Sequence, residues 1–375
     1  MRSLVGIIVW KELIEIRRDP ITVAVAVILP LLMLYLFGSA LSLDVKDASL
    51  AVYDQDRSAA SRALIERFPQ SGYFKLTHNI RAEGEIAELL DRGRARLVLI
   101  IPSGFAQKLA SGETAEVQAL ADGSYSTTAM VILGYAEAIV QSYALERAHE
   151  SAVASGMAPV ALVQLESRVW FNASLESVNY IVPGLFGVIL MAFPPLLTAL
   201  AVVREKEAGS VQQIFVSPIR PYEFIAGKMI PYAVIAFIEM LMILAAGLWW
   251  FHNPFIGSFP LFLGATAIYV FCTVGFGLLI SSITRSQIVA MLLSLLATLM
   301  PSFLFSGFLF PIYTMPMMLQ FYTRLFPARY FIEISRGIAM KDVGIAVLWP
   351  QFLALLIYTA LVFVITTRLF RKKVA

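Results

Sequence analysis

The sequence predicts an α-helical polytopic membrane protein of six transmembrane helices, with an extracytoplasmic α/β domain inserted between helices 1 and 2. Three observations carry this. The 375 residues are 59% hydrophobic and 15% charged, against about 45–50% and about 25% in soluble domains, which is more apolar surface than a water-facing fold can hide. The apolar residues collect in six runs long enough to cross a bilayer, which takes roughly 20 residues. A long polar, turn-rich stretch, 44–178, separates the first run from the second.

Residues 1–19 mix Leu4, Ile7, Ile8, Leu13, Ile14 and Ile16 with Lys11, Glu12, Glu15, Arg17 and Arg18. This pattern predicts an amphipathic helix lying on the cytoplasmic membrane surface. Residues 20–43 are transmembrane helix 1. The uncharged run Ile21–Leu43 is longer than the roughly 7–15-residue core of a signal peptide, so it is expected to stay as an anchor. Pro30 is expected to kink it. In 44–178, strand patterns at Leu50–Tyr53, Tyr73–Thr77, Arg96–Ile101 and Ala115–Leu120 alternate with helical ones at Ala59–Arg67, Glu83–Asp91 and Ser126–Ser151. Alternation of this kind predicts an α/β domain.

Residues 179–368 carry helices 2 to 6, over Asn179–Val203, Met229–Phe251, Phe259–Ile283, Gln287–Phe310 and Ala346–Thr367. Glu239 is the sole acidic or basic residue inside them. An intramembrane carboxylate marks a functional position or a polar contact that holds helices together. Lysine and arginine collect on the flanks that share a side with both termini, which predicts that both termini, including the tail 369–375, are cytoplasmic. Segment 311–345 is interrupted by Pro311, Pro316 and Pro327 and carries Arg324, Arg329, Arg336 and Lys341 on the outer side. It is expected to form short helices re-entering the outer leaflet.

Several functions are disfavoured. A net charge of +3 does not suggest a nucleic-acid partner, and one cysteine, Cys272, cannot form an internal disulfide. His78, His149 and His252 lie far apart, so no metal site is expected, and no cofactor. Gly227-Lys228 is followed by Met229, which fails the phosphate-loop pattern and leaves the chain no recognisable ATP site. No nucleophile–base set stands out. The spans lack the chains of acidic and histidine residues that mark proton-driven carriers. Transport by this chain would need energy from outside it.

The segment 204–221 is a hydrophilic island between two membrane-length runs. Arg204, Glu205, Lys206 and Glu207 extend helix 2, and Gly209 breaks it. Ser210 can cap a following turn whose apolar stripe is Val211, Ile214 and Phe215. Pro218 and Pro221 end that turn. The physics allows two readings: a positively charged loop resting on lipid, or a short helix parallel to the membrane that docks a cytoplasmic motor.

This stretch carries a resemblance. The pattern R-E-K-E-x-G-[ST]-[VL]-[EQ]-Q-[IL]-x-V-[ST]-P-[IV] runs from Arg204 to Ile219, and P-x-E-x-[IL]-x-[GA]-K from Pro221 to Lys228. With them the chain resembles an ABC-2 type permease, the membrane subunit of an ABC exporter. It is similar to the multidrug-efflux-like subgroup with a large external domain, at Val52-Tyr53-Asp54-Gln55-Asp56, Tyr73-Phe74, Ile101-Pro102-Ser103-Gly104-Phe105, Gln118 and Asp122-Gly123. The resemblance covers essentially the whole chain, and the cytoplasmic motif is its specific part.

The resemblance implies a dimer with a second permease copy or homologue, each served by a separate ABC ATPase subunit. The chain itself would not be an enzyme. Arg204, Glu205, Lys206, Glu207, Gly209, Ser210, Gln213 and Pro218 would couple it to that ATPase, helped by the N-terminal helix. A bacterial inner membrane is the implied location, and a periplasmic membrane-fusion adaptor is a further partner at the external domain. Spans rich in Phe, Leu and Met, set among membrane lipids, suit amphipathic or hydrophobic cargo, drug-like or lipid-like. The competing expectation is a non-transporting receptor or scaffold whose external domain binds a ligand or partner protein.

Overall fold

Two units divide the chain, one built from 1–42 and 169–375 and the other from 43–168. The computed structural model describes residues 4–41, 47–123, 126–154, 171, 176–209 and 219–369. Helix α1 (Leu4–Arg18) buries Ile8, Glu12 and Ile16. These are spaced four apart and therefore share a face. The other faces expose Ile7, Trp10, Leu13 and Ile14, and Leu4 is exposed at the start of the helix. Helix α2 (Pro20–Ala40) follows, with Pro30 inside it.

The 43–168 unit is a four-stranded sheet of order β2-β1-β3-β4, from β1 (Ala48–Asp54), β2 (Phe74–Asn79), β3 (Leu97–Ile101) and β4 (Gln118–Ala121). The β1 strand pairs parallel with β2 and β3, and β4 is an antiparallel edge. Strand alternation sends Leu50, Val52, Leu97, Leu99 and Ile101 to one face and Ala51 and Val98 to the other. Helices α3 (Ala59–Gln70), α5 (Phe105–Ser111) and α6 (Ser126–Ala154) cover the first face, and α4 (Gly84–Asp91) covers the second. The expected strands and helices are all present, and α5 is an addition.

The two sequence motifs of this unit meet at the start of α5. Asp56 accepts the backbone N–H of Gly104 at 2.9 Å and of Ala106 at 3.1 Å. The Ser58 hydroxyl, and then these amides, hold the Asp56 carboxyl below its ordinary range. Gly104 has φ +82, a left-handed conformation that an L side chain would strain. Asp54 ties its own turn, accepting from the N–H of Arg57 at 2.9 Å and the Ser61 hydroxyl at 2.8 Å.

The other unit is a helical bundle around α7 (Ser177–Glu207), most of whose residues are buried. It packs against α2, α8 (Pro221–Trp250), α9 (Phe259–Ile283), α10 (Gln287–Ser294) and α13 (Pro327–Lys341). A π-helical turn, Leu295–Leu299, joins α10 to α11 (Met300–Phe305) ahead of Pro301. A buried hydroxyl ladder runs along this rod: Ser302 donates to the Thr298 carbonyl at 2.6 Å, and Thr298 to Ser294 at 2.7 Å. A 3-10 turn at Ile312–Thr314, α12 (Met317–Thr323) and α13 make up the segment between the last two spans, and α14 (Ile345–Leu369) closes the chain. Small residues let the helices touch. Tyr269 of α9 donates to the Gly187 carbonyl of α7 at 2.8 Å and stacks on Phe331 of α13 with ring centroids 4.2 Å apart.

Seven helices among the described residues are long and apolar enough to cross a membrane. Six lie over the runs singled out in the sequence; the seventh is Thr128–His149, within α6. That helix buries Ile132, Ala136 and Tyr143 in the core of the α/β sheet. Two boundaries differ from expectation. Helix α8 starts at Pro221 rather than Met229, because proline suits the first helical position and Glu223 accepts the Arg220 backbone N–H at 2.8 Å. The 287–310 run stops being helical at Phe305, ahead of Gly307 at φ +79.

Candidate functional site

Helix α7 ends where Gly209 takes φ +73, the left-handed terminus for which glycine is suited. Just before it come Arg204, Glu205, Lys206 and Glu207. Successive residues on a helix point about 100° apart, so four in a row face all sides. Each finds a different neighbour. Arg204 pairs with Asp19, between α1 and α2. Glu205 pairs with Lys11 of α1 and Lys228 of α8. Lys206 donates to the carbonyls of Ser281 and Thr284, the last at 3.3 Å, where α9 ends. Glu207 accepts the Gln287 backbone N–H at 2.9 Å and its side-chain amide, where α10 begins.

The centre of this junction is buried. Lys228 Nζ lies 2.6 Å from Glu12 Oε1 and 2.6 Å from Glu205 Oε2, with Lys228 and Glu12 each 1% exposed. Both are ion-pair distances, so the ammonium sits between two carboxylates. Lys11 closes the cluster at 3.1 Å from Glu15 and 3.3 Å from Glu12. Burial alone would lower the Lys11 ammonium; its bond to Glu205, the charges of Glu205 and Glu12 and the bond to Glu15 together outweigh this and raise it. The Arg204 guanidinium, and after it the Thr22 hydroxyl, hold the Asp19 carboxyl at about 2. A Cβ on Gly227 would lie 2.7 Å from Ile8 Cβ. That close approach of α8 to α1 is what brings Lys228 to Glu12. The carboxylate oxygens of Glu12, Glu15 and Glu205 lie within 4.8 Å of one another, a spacing a cation could bridge. The ammonium groups of Lys11 and Lys228 already fill that part.

Of the residues singled out in the island, Arg204, Glu205, Lys206 and Glu207 are thus brought together, each engaged within the chain. Gly209 supplies the helix end. Ser210, Gln213 and Pro218 lie outside the described residues. Sequence reasoning missed Glu12 and Lys228 as partners. The Ile8–Glu12–Ile16 spacing was the available signal for the first. Lys228 reads as a flanking positive charge for a span that starts at Met229, whereas the helix starts at Pro221 and carries Lys228 inside it.

Glu239 stands apart, in the middle of α8. It is fully buried, on the face of Ala236, Met240 and Ile243. Neither carboxylate oxygen has a hydrogen-bond partner among the described residues. Thr266 of α9 is likewise buried, its hydroxyl without a partner among the described residues.

The comparisons with known proteins agree with the sequence resemblance. A family model described as ABC-2 family transporter protein matches residues 20–368. The chain is 32% identical, over 98% of its length and 98% of the relative's, to "Probable multidrug ABC transporter permease YbhR" of Escherichia coli strain K12. It is 31% identical to "Probable multidrug ABC transporter permease YbhS" of the same strain, over 97% and 95%. To "Inner membrane transport permease YhhJ", again from that strain, it is 28% identical over 87% and 86%.

Proposed function

The chain belongs to the ABC-2 transporter family as a polytopic permease, and from that premise we propose that it exports amphipathic or hydrophobic compounds, driven by a separate ABC ATPase subunit. The observation that carries the coupling is the end of α7. One short charged run touches the α1–α2 junction, α8, α9 and α10. An ATPase pressing on the segment after Gly209 would move all of them together, through ties already made. The four charges therefore act as a transmission within the permease, and the docking surface is the 210–218 segment beyond them. Nucleotide-driven closure of paired ATPases would then rock two permease copies between states.

In this reading α2, α7, α8, α9, the α10–α11 rod and α14 cross a bacterial inner membrane. Both termini are cytoplasmic, α1 lies along that face, and the α/β unit is external. Helix α6 stays out of the membrane, because its buried face serves the sheet. The external unit is the place for a membrane-fusion adaptor. The multidrug wording in the names of two relatives and the apolar spans favour drug-like or lipid-like cargo over small ions. The test is reconstitution in proteoliposomes with the partner ATPase, following an amphipathic fluorophore. ATP-dependent flux that needs both proteins supports export; binding without flux supports a receptor instead.

Glu239 yields a prediction within the same assay. A glutamine keeps the shape of the side chain while removing its acidity. Glu239→Gln is expected to express and melt like the parent, yet to carry flux roughly tenfold slower, as about 1.4 kcal/mol on a limiting barrier would give. Unchanged flux at equal expression would reduce Glu239 to a packing residue.

A further inference from the structure

A cavity of about 660 Å³ opens at the far end of α7 from the charged junction. Tyr180, in the first turn of α7, lines it. Glu205 is roughly 37 Å further along the helix at about 1.5 Å of rise per residue, a distance comparable to a bilayer. The walls come from the end of α11, the turn after it, α13 and the start of α14.

Three cations line this space, Arg329, Arg336 and Lys341, against one acid, Glu333. None of the three pairs with a carboxylate among the described residues. Arg336 is fixed in place. It donates to the carbonyls of Tyr180 at 3.1 Å, Gly307 at 2.7 Å and Phe308 at 3.1 Å, and its guanidinium lies 3.4 Å over the Tyr180 ring. Carbonyls orient that charge without cancelling it. Arg329 is held by one nitrogen only, through Thr323 and the Gln320 carbonyl. Its Nε–H is buried without a partner among the described residues, and so is the side-chain oxygen of Gln351 in the same wall. A buried, unspent guanidinium N–H in a net-positive space is a donor set for an anion. Ile332, Val347 and Leu348 add an apolar wall, and the volume falls in the range of about 300–1,000 Å³ typical of small-ligand sites.

We propose that this cavity binds the anionic head group, phosphate or carboxylate, of an amphiphile whose apolar part lies along α13 and α14. Placing it on the exit side of the membrane rests on the exporter reading above; the binding itself does not. Arg329 and Lys341 make the charge contact, and Arg336 supplies a fixed background of positive potential.

The test is native mass spectrometry of the purified full chain, titrated with short-chain phosphatidylglycerol and with phosphatidylcholine of the same chain length. No ATPase or ATP is present, so failure here and failure of the exporter reading are separate events. Phosphatidylglycerol is expected to bind at least about tenfold more tightly. Lys341→Glu, at an exposed position, should remove that preference. Arg329→Gln should do the same, and Arg329→Lys, which keeps the charge where the glutamine variant fails to fold, should retain part of it. Equal binding of the two lipids, or a Lys341→Glu chain that still prefers phosphatidylglycerol, would overturn the proposal. Displacement of the lipid by inorganic phosphate at equal concentration would also overturn it, since the occupant would then be a soluble anion.

Discussion

Lys228→Met is expected to be the most damaging single change at the junction, costing about 3–5 kcal/mol of stability, the usual penalty for removing one partner of a buried ion pair. The reason is what it leaves behind. Glu12 and Glu205 would keep their charges beside each other with only Lys11 for compensation, and Glu12 is 1% exposed. Methionine matches the lysine stem in length, so packing against Phe224 is largely kept and the loss is electrostatic. The measurement is a thermal melt of the detergent-solubilised protein followed by size-exclusion chromatography. A triple variant, Lys228→Met with Glu12→Gln and Glu205→Gln, is expected to recover most of the loss, since a neutral junction has no stranded charge. By contrast Arg204→Gln, at a pair whose arginine is half exposed, should cost at most about 1 kcal/mol. If Lys228→Met and Arg204→Gln prove equally mild, the buried network is not what holds α1 and α8 to α7.

Gly277→Val is expected to cost about 3 kcal/mol or more through overpacking, with loss of the monodisperse chromatographic peak. A Cβ at Gly277 would stand 2.4 Å from the Pro195 carbonyl oxygen and 2.8 Å from its Cα. Both are backbone atoms of α7, so no rotamer change relieves the clash and the helices must separate. The separation would disturb the axis of the bundle, because α7 is its most enclosed helix. Gly264, on the same helix α9, has no atom of the described residues within 4 Å of a built Cβ. Gly264→Ala is therefore the matched control, expected to be neutral or slightly stabilising through helix propensity. Equal behaviour of the two variants would mean that α7 and α9 are not in backbone contact.

The six long apolar runs were legible in the sequence because a bilayer imposes both length and composition on a helix. The strands of the α/β unit were legible for a different reason, their short β-branched and aliphatic runs being closed by turn residues. The α6 stretch reads in the sequence as a helix of the α/β unit, although it is long enough and, while the least apolar of the seven candidates, apolar enough to cross a membrane. Its apolar residues serve a sheet face through Ile132, Ala136 and Tyr143, and that appears only when the strands are in place. The charged end of α7 was legible as an interfacial segment, since four charges beside a membrane run must sit at its edge. Their partners were not. Asp19, Lys11, Lys228, Ser281 and Gln287 are scattered through the chain, and only the bundle's packing assembles them. Lys228 was the least legible. It reads as a flanking cation as long as α8 is thought to start at Met229, and as a buried one only when the helix starts at Pro221.

The proposed coupling of this junction to an ATPase is measured most directly by hydrolysis. The permease and its partner ATPase are reconstituted together, and ATP turnover is compared for the parent, Glu207→Lys and Gly209→Pro. Glu207→Lys breaks the tie to the start of α10, while Gly209→Pro imposes a φ of about −65° where the chain holds +73°. Both variants are expected to fold, assemble in the membrane and still bring turnover down to the level of the ATPase alone. Turnover and complex formation equal to those of the parent would contradict that coupling.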